Sequence, residues 1–303
     1  MTLPIIRERL PGEPAPPRMA EVLRARLRRG TGILALPCPY DGLSARLAAQ
    51  AGYEAMFMGG YALVASRFGF PDIGLATQGE MVEAARVVAA SAGVPVLADG
   101  DTGHGGSMNV RRTVQSMDAA GVAAVMIEDQ LSPKRCGHLA GKQIVDRTEA
   151  VLRVRTAVRA AEQSAGRVLI LARTDARNIA GLEEAIWRMQ AFEAEGAELL
   201  FMESPHDERE MAESNQAVSS PTLANVLEGG LSPILPRARL EALGFAMAAY
   251  PIALIGAAGH AARAALAAIA AEEAGPPRLS HAELLDATGY TQVEAALRAL
   301  DEG

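Results

Sequence analysis

The sequence predicts an α/β fold, a (β/α)8 barrel of the TIM type, and two observations predict it. The first is a cadence: a helix ends in Ala-Gly, Glu-Gly or Leu-Gly, a short apolar strand follows, and a polar or Gly-rich loop follows the strand. Ala51-Gly52 leads into 53–58, Ala120-Gly121 into 122–127, Glu195-Gly196 into 197–202 and Leu243-Gly244 into 245–248. Glycine suits the left-handed end of a helix, and continuously apolar strands suit a parallel sheet covered by helices. The second observation is the count. Strands are expected at 33–36, 53–58, 94–98, 123–127, 168–172, 198–202, 222–224 and 245–248. Helical periodicity fills the intervals at 43–50, 78–91, 109–119, 147–163 and 182–195, with weaker patterns at 209–216, 237–243 and 252–271. Eight strands alternating with helices close most simply into a barrel; a doubly wound open sheet is the rival on counting alone.

The chain divides into three parts. Residues 1–18 are Pro-rich and charged and read as an arm. The barrel domain occupies 19–274, opening with a short helix at 19–29, and 275–303 is a Pro break followed by a helical extension suited to packing or oligomer contact. Half of the residues are hydrophobic and 21% are charged, so a packed core is expected. A net charge of −7 offers no basic face to nucleic acid, and an anionic substrate would need local cations. No signal-like apolar core lies in 1–18. The best membrane candidate, 252–271, is Ala- and Gly-rich with His260 and Arg263 inside, so it reads as a packed helix and no membrane is expected. Two cysteines, Cys38 and Cys136, make no disulfide framework, which points to the cytoplasm.

In such a barrel the chemistry sits just past the C-terminal ends of the strands. Gly59-Gly60-Tyr61 follows the second strand, Asp99 and Asp101 the third, Glu128 and Asp129 the fourth, Arg173 and Asp175 the fifth, Glu203 the sixth, and Asn225 and Glu228 the seventh. One polar residue after a strand is usually a turn or a cap. Six consecutive strands ending this way define a site. Asp99 and Asp101, two residues apart among glycines, with Glu128 on the next strand and no thiol, suit Mg²⁺ or Mn²⁺ held largely through water; the bland alternative is an Asx-turn cluster. Asp72 joins them only if its Phe70–Gly74 turn folds over the barrel mouth, and His104 reads as a loop histidine. Arg173, at the end of an apolar run, either binds a carboxylate or pairs with Glu203, the first being favoured.

After the fourth strand comes a loop, 130–142, that crowds Lys134, Arg135, Cys136 and His138 together. A thiol among cations has a lowered pKa and can exchange protons near neutrality. The bland reading is an inert buried thiol, which the polar, glycine-bearing loop disfavours; Cys38, among prolines, reads as packing. The chain has two lysines, Lys134 and Lys142, and both lie in this loop. No Gly-x-Gly-x-x-Gly opens a helix and no P-loop occurs, so nucleotide binding has no support.

Asp99-x-Asp101-Thr-Gly, Ile127-Glu128-Asp129-Gln130, Pro133-Lys134-Arg135-Cys136-Gly137-His138, Ala172-Arg173-Thr174-Asp175-Ala176 and Ala224-Asn225-Val226-Leu227-Glu228-Gly229-Gly230 together resemble the isocitrate lyase/phosphoenolpyruvate mutase superfamily. The Lys-Arg-Cys-Gly-His element resembles its C–C-cleaving branch, which includes methylisocitrate lyase, 2,3-dimethylmalate lyase and oxaloacetate hydrolase. The resemblance implies Mg²⁺ near Asp99, with Asp72, Asp101 and Glu128 holding its waters. It implies an α-keto-acid moiety held by the amides of Gly59, Gly60 and Tyr61 and by Arg173, with Gly137, Glu203 and Asn225 also against the substrate. Loop 130–142 would close as a gate and deliver Cys136 as the acid, with Lys134, Arg135 and His138 beside it. It further implies a last barrel helix swapped between subunits, giving a dimer of dimers. Gly59, Phe57 and Met126 depart from the methylisocitrate lyase pattern, and Asn225–Gly230 is closer to the dimethylmalate lyase and oxaloacetate hydrolase group. The expected function is therefore a Mg²⁺-dependent lyase that splits a malate-type 2-hydroxy dicarboxylate into a keto acid and a carboxylate. Oxaloacetate hydrolysis is the alternative. Methylisocitrate (tricarboxylate) cleavage, a phosphonomutase and a non-catalytic keto-acid binder stand behind both.

Overall fold

The computed structural model describes residues 18–137 and 141–301. The arm expected at 1–18 lies outside them, Arg18 excepted. The elements run α1 (Met19–Arg28), β1 (Leu34–Pro37), α2 (Gly42–Gln50), β2 (Met56–Met58), α3 (Gly60–Phe68), α4 (Gln78–Ala92), β3 (Val96–Asp99), α5 (Ser107–Ala119), β4 (Ala124–Glu128) and α6 (Arg147–Glu162). They continue β5 (Leu169–Thr174), α7 (Arg177–Ala180), α8 (Leu182–Ala194), β6 (Leu199–Met202), α9 (Glu208–Gln216), β7 (Leu223–Asn225), α10 (Arg237–Ala242), β8 (Met247–Tyr250), α11 (Ala253–Ala271), α12 (His281–Thr288) and α13 (Tyr290–Asp301). The four cadence glycines, Gly52, Gly121, Gly196 and Gly244, all have φ between 84° and 97°, the conformation that a helix-ending glycine supplies without strain. Helix starts are set by side-chain caps where the sequence provides them: Asp41, Thr77, Asp146, Asp207 and Ser280 each accept from the amide three residues on.

All ladders are parallel. One runs β2-β3-β4-β5-β6 and the other β1-β8-β7, and a bridge from Leu200 to Thr222 links β6 to β7. At the remaining seam β1 and β2 form no ladder among the described residues. Leu34 and Leu36 of β1 share one interior cluster with Ala55 and Phe57 at β2. The result is the eight-stranded barrel expected, not the doubly wound sheet.

Side chains alternate across the strands, as the pleat requires. Phe57, Leu97, Ala124, Met126, Leu169, Leu171, Leu199, Phe201, Leu223, Met247 and Ala249 point inward and fill the barrel. Met56, Met58, Val96, Ala98, Val125, Ile127, Ile170, Ala172, Leu200 and Met202 point outward and pack under the helices. Ala20 and Leu23 of α1 belong to the interior cluster, and Arg24 and Arg26 of the same helix bond to Glu198, Arg167 and Glu54 beside the strand starts. So α1 closes the N-terminal mouth.

Three local differences from expectation stand out. Helices α3 and α7 follow β2 and β5 where loops were expected, and the tail carries two helices where one was expected. Helix α12 returns to the barrel: Arg46 Nε and Gln50 Nε2 of α2 donate to the carbonyls of Ala287 (2.5 Å) and Asp286 (3.4 Å). Helix α11 buries none of its residues in the single chain. With a mean hydropathy of 1.5 it is also the one helix among the described residues long and apolar enough to cross a membrane.

Candidate active site

The inward positions of the strands, spaced by two, run on past the apolar interior into charge. Position 57 is followed by 59, 97 by 99, 126 by 128, 171 by 173, 201 by 203 and 223 by 225: Gly59, Asp99, Glu128, Arg173, Glu203 and Asn225. The alternation that fills the barrel with apolar side chains therefore aims these residues into its C-terminal mouth. Five of the six strand ends carry charge or an amide, and all the charged ones are buried. Burying ions is costly unless they are paired, so the pairing pattern shows what the site is built to hold.

One group forms on β3. Asp99 Oδ1 accepts from the Asp101 amide and Oδ2 from the Gly60 amide, each at 2.9 Å. A Cβ on Gly60 would stand 3.1 Å from that Oδ2, so glycine permits the approach. Lys134 reaches down from the loop after β4 and places its ammonium 2.6 Å from Asp72 and 2.7 Å from Asp101. The Asp72 turn does fold over the mouth. Burial, with the Asp101 charge beside it, lifts the Asp99 carboxyl to about 6. Burial also works against ionised Asp101, but the Lys134 ammonium overrides it and holds that carboxyl low. Glu128 is pushed well up by burial despite Arg173, and its Oε1 has no hydrogen-bond partner.

A second group forms on β5. Asp175, fully buried, chelates Arg173 through Oδ2···Nε (2.8 Å) and Oδ1···Nη2 (3.0 Å). The same guanidinium lies 3.4 Å from Glu128 and 3.3 Å from Glu203. Arg173 thus makes the pair with Glu203 that was the less favoured reading, and its principal partner is Asp175. Asn225 Nδ2 stands 3.2 and 3.3 Å from the two oxygens of Glu203.

Among the described residues both groups carry more carboxylates than cations. Asp72, Asp99, Asp101, Glu128, Asp175 and Glu203 face Lys134, Lys142 and Arg173. An unpartnered buried Glu128 oxygen and a raised Asp99 mark where the deficit falls. All-oxygen donors with no thiol fit a hard divalent cation such as Mg²⁺. Among the described residues no three acidic, His or Cys side chains group tightly enough to ligate an ion directly. His104, in a left-handed loop position (φ 59°), has a buried Nε2 without a partner, and burial lowers its pKa. It does not line the cavity, in keeping with a loop histidine.

That cavity holds about 270 Å³, at the small end for ligand sites. Asp72, Asp99, Arg173, Glu203, Asn225 and Glu228 supply its polar wall, and Phe57, Met126, Phe201, Leu223, Leu227 and Ile252 its apolar one. Gly59, Gly60 and Tyr61 also line it, at the start of α3, whose first-turn amides lack intrahelical partners. The Gly60 amide, expected at the substrate, is used on Asp99. A larger groove of about 610 Å³ lies at the opposite mouth beside Arg24 and Glu198. Arg24 and Glu198 are paired with each other, whereas the strand-end carboxylates and Arg173 line the smaller cavity, which is therefore the candidate site.

The described part of the loop after β4, residues 131–137, lies on the site. Its base is closed by an antiparallel bridge from Gln130 to Ile144 and by Leu131 N–H to Gln143 O. Gln130 clamps it from inside, accepting from the Arg135 amide and donating to the Arg135 carbonyl, both at 2.9 Å. Gly137 sits so close that a Cβ there would fall 2.4 Å from Arg173 Nη2 and 2.6 Å from Glu203 Oε2. Cys136, half-buried, lines the cavity, whereas Arg135 is exposed. His138 lies outside the described residues.

Sequence reasoning missed the layer behind these groups. Asp129 accepts from Thr174 Oγ1 (2.6 Å), the Asp175 amide (2.9 Å) and Arg188 Nη1 (3.0 Å), fixing the end of β5 against α8. Arg153 of α6 donates to the Glu128 and Gln130 carbonyls and holds the end of β4. Lys142 bonds Asp175 at 2.8 Å. The signal available in sequence was the placement of both lysines in one loop.

The family model described as phosphoenolpyruvate phosphomutase matches residues 23–270. A 2,3-dimethylmalate lyase from Eubacterium barkeri is 44% identical over 219 residues, 72% of this chain and 75% of its own. A 2-methylisocitrate lyase from Bacillus subtilis is 40% identical over 80% of this chain and 79% of its own. A solved oxaloacetate acetylhydrolase in complex with the inhibitor 3,3-difluorooxalacetate superposes with a TM-score of 0.90 at 33% identity, covering 94% of this chain and 97% of that one.

Proposed function

Because the chain belongs to the isocitrate lyase/phosphoenolpyruvate mutase superfamily and is an enzyme of its carbon–carbon lyase kind, we propose that it cleaves a 2-hydroxy dicarboxylate of the alkyl-substituted malate type. The products are an α-keto acid and a carboxylate. The observation that carries this reading is the cysteine loop closed on the site: Cys136 lines the same small cavity as Asp99 and Arg173, and no other described residue lining it offers a thiol. The keto-acid half lies against the Gly59-Gly60-Tyr61 turn, and Arg173 donates to its oxygens. A base in the site takes the 2-hydroxyl proton as the C2–C3 bond breaks, and Arg173, kept charged by Asp175, stabilises the negative charge that develops. The leaving fragment is a carboxylate enolate, and Cys136 donates the proton that quenches it. The apolar wall of Phe57, Phe201, Leu223 and Leu227 accepts alkyl substituents, and the loop over it excludes water. Mg²⁺, held by Asp99 with Asp72, Asp101 and Glu128 through water, polarises the keto-acid oxygens when bound, and Mn²⁺ suits the same donor set.

One observation favours a second reading. The solved neighbour holding 3,3-difluorooxalacetate is an oxaloacetate acetylhydrolase, and the same cavity would serve hydrolysis of oxaloacetate to oxalate and acetate. Assaying the purified protein with Mg²⁺ and 2,3-dimethylmalate, 2-methylisocitrate, oxaloacetate or phosphonopyruvate separates the two. Fastest turnover of the dimethylmalate supports the lyase, and fastest turnover of oxaloacetate replaces it with the hydrolase. We further propose that a second copy of the chain covers the exposed apolar face of α11. Sedimentation that finds only monomer would refute this. We also propose that the enzyme acts in the cytoplasm on a small soluble substrate, without nucleic-acid or membrane partners.

A further inference from the structure

Lys134 places a buried positive charge inside the acidic cluster on β3. Its side chain is 6% exposed, and its ammonium donates to Asp72 Oδ1 at 2.6 Å. The same ammonium lies 2.7 Å from Asp101 Oδ1. That second contact is an ion pair without an aligned hydrogen bond, because Asp101 Oδ1 is buried with no hydrogen-bond partner. The other two carboxylates of the cluster are held differently. Asp99 accepts from the backbone amides of Gly60 and Asp101. Glu128 lies 3.4 Å from Arg173 through Oε2 and leaves Oε1 unpartnered. Asp101 is also placed by its own backbone: its φ of 49° and the bond from its amide to Asp99 fix its position without help from the lysine.

We propose that Lys134 is a resident counter-ion: it neutralises Asp72 and Asp101, leaves Asp99 and Glu128 to the divalent cation, and so weakens the affinity of the site for Mg²⁺. The inference rests on the reading of this cluster as the Mg²⁺ site. Asp72, Asp99, Asp101 and Glu128 together carry more negative charge than one divalent ion balances, and the ammonium supplies part of the difference. Two cations in one buried cluster repel each other, and little water lies between them to screen the repulsion. The ammonium is fixed to the chain whereas the ion binds from solution, so the repulsion falls on the affinity of the ion. A purely structural lysine would act in the opposite sense. If Lys134 served only to hold Asp72 and Asp101 in place, removing it would disorder the ion's carboxylates and weaken binding. The two roles therefore predict opposite signs.

Calorimetry of Mg²⁺ alone with the full-length protein, in the absence of substrate, tests this. Lys134→Met should bind Mg²⁺ about tenfold or more tightly than wild type. Added Mg²⁺ should also raise the melting temperature of the variant by more than it raises that of wild type. Lys134→Arg keeps the charge and should bind Mg²⁺ much as wild type does. If Lys134→Met does not fold, Lys134→Gln, which also lacks the charge, is read in the same way. Equal or weaker binding in the charge-free variant overturns the role of Lys134, and so does equal tightening in Lys134→Arg. A wild type that binds no Mg²⁺ overturns the metal-site reading and the proposal with it. Every one of these results is read without turnover, so failure of the lyase reading in the substrate assays is a separate outcome.

Discussion

The two mouths of the barrel carry ion pairs of nearly equal length and opposite circumstance. At the N-terminal mouth Arg24 meets Glu198 at 2.6 Å with 23% and 43% of the side chains exposed. At the C-terminal mouth Lys142 meets Asp175 at 2.8 Å with 3% and 0% exposed. Distance alone would rank them together. Water screens the first pair, which holds α1 in place and contributes little. The second has been taken out of water at a cost that packing alone does not require, and it survives because every charge in it is shared. The mouth proposed for the chemistry is the one where the protein accepts that cost.

The sharpest way to break this comparison is to remove the central cation. Arg173→Ala strands Asp175, Glu128 and Glu203 in the interior, so we expect a loss of about 3–5 kcal/mol in chemical denaturation and no measurable turnover. If it denatures like an Arg24 variant, the distinction between the mouths fails. Asp129→Asn comes next. It weakens bonds from Thr174, Asp175 and Arg188 without opening a cavity, and should cost about 2–3 kcal/mol. Glu210 on α9 is an intermediate case. The Arg177 guanidinium, opposed by partial burial and helped by the His206 amide, holds its carboxyl at about 2 against an ordinary 4.5. A folded-state pKa below the unfolded one stabilises above 4.5 and is lost as pH falls toward 2. Glu210→Gln should therefore cost about 1 kcal/mol near neutrality, after discount for solvent screening, and the gap from wild type should close in denaturation curves between pH 4.5 and 2. Least of all, Arg24→Ala should shift stability by no more than about 0.5–1 kcal/mol and leave turnover unchanged.

The sequence disclosed all eight strands, because their apolar runs are continuous and a helix-ending glycine announces several of them. Several boundaries slipped toward the N-terminus for one reason. The pattern stops at the last apolar residue, whereas the ladders run on through Asp99, Glu128, Arg173, Thr174 and Asn225. Those strand-end residues are the ones that make the candidate site. Helix α3 was hidden because its N-cap, Gly59, offers no capping side chain and its glycine pair reads as a loop. Asp129, Arg188 and Lys142 were illegible as a group because their roles depend on β4, β5, α8 and the loop meeting in space. Nothing local distinguishes a buried Arg188, paired to Glu184 four residues earlier, from an ordinary helix-surface pair.

The proposed chemistry depends on a thiol carried by a closing loop. Replacing Cys136 by Ser and measuring turnover of the best dicarboxylate beside Mg²⁺ affinity by calorimetry tests it most directly. Turnover lower by about 10³-fold or more, some 4 kcal/mol of transition-state stabilisation, with Mg²⁺ affinity unchanged, is the expected result. A Cys136→Ser enzyme that turns over at the wild-type rate would contradict it.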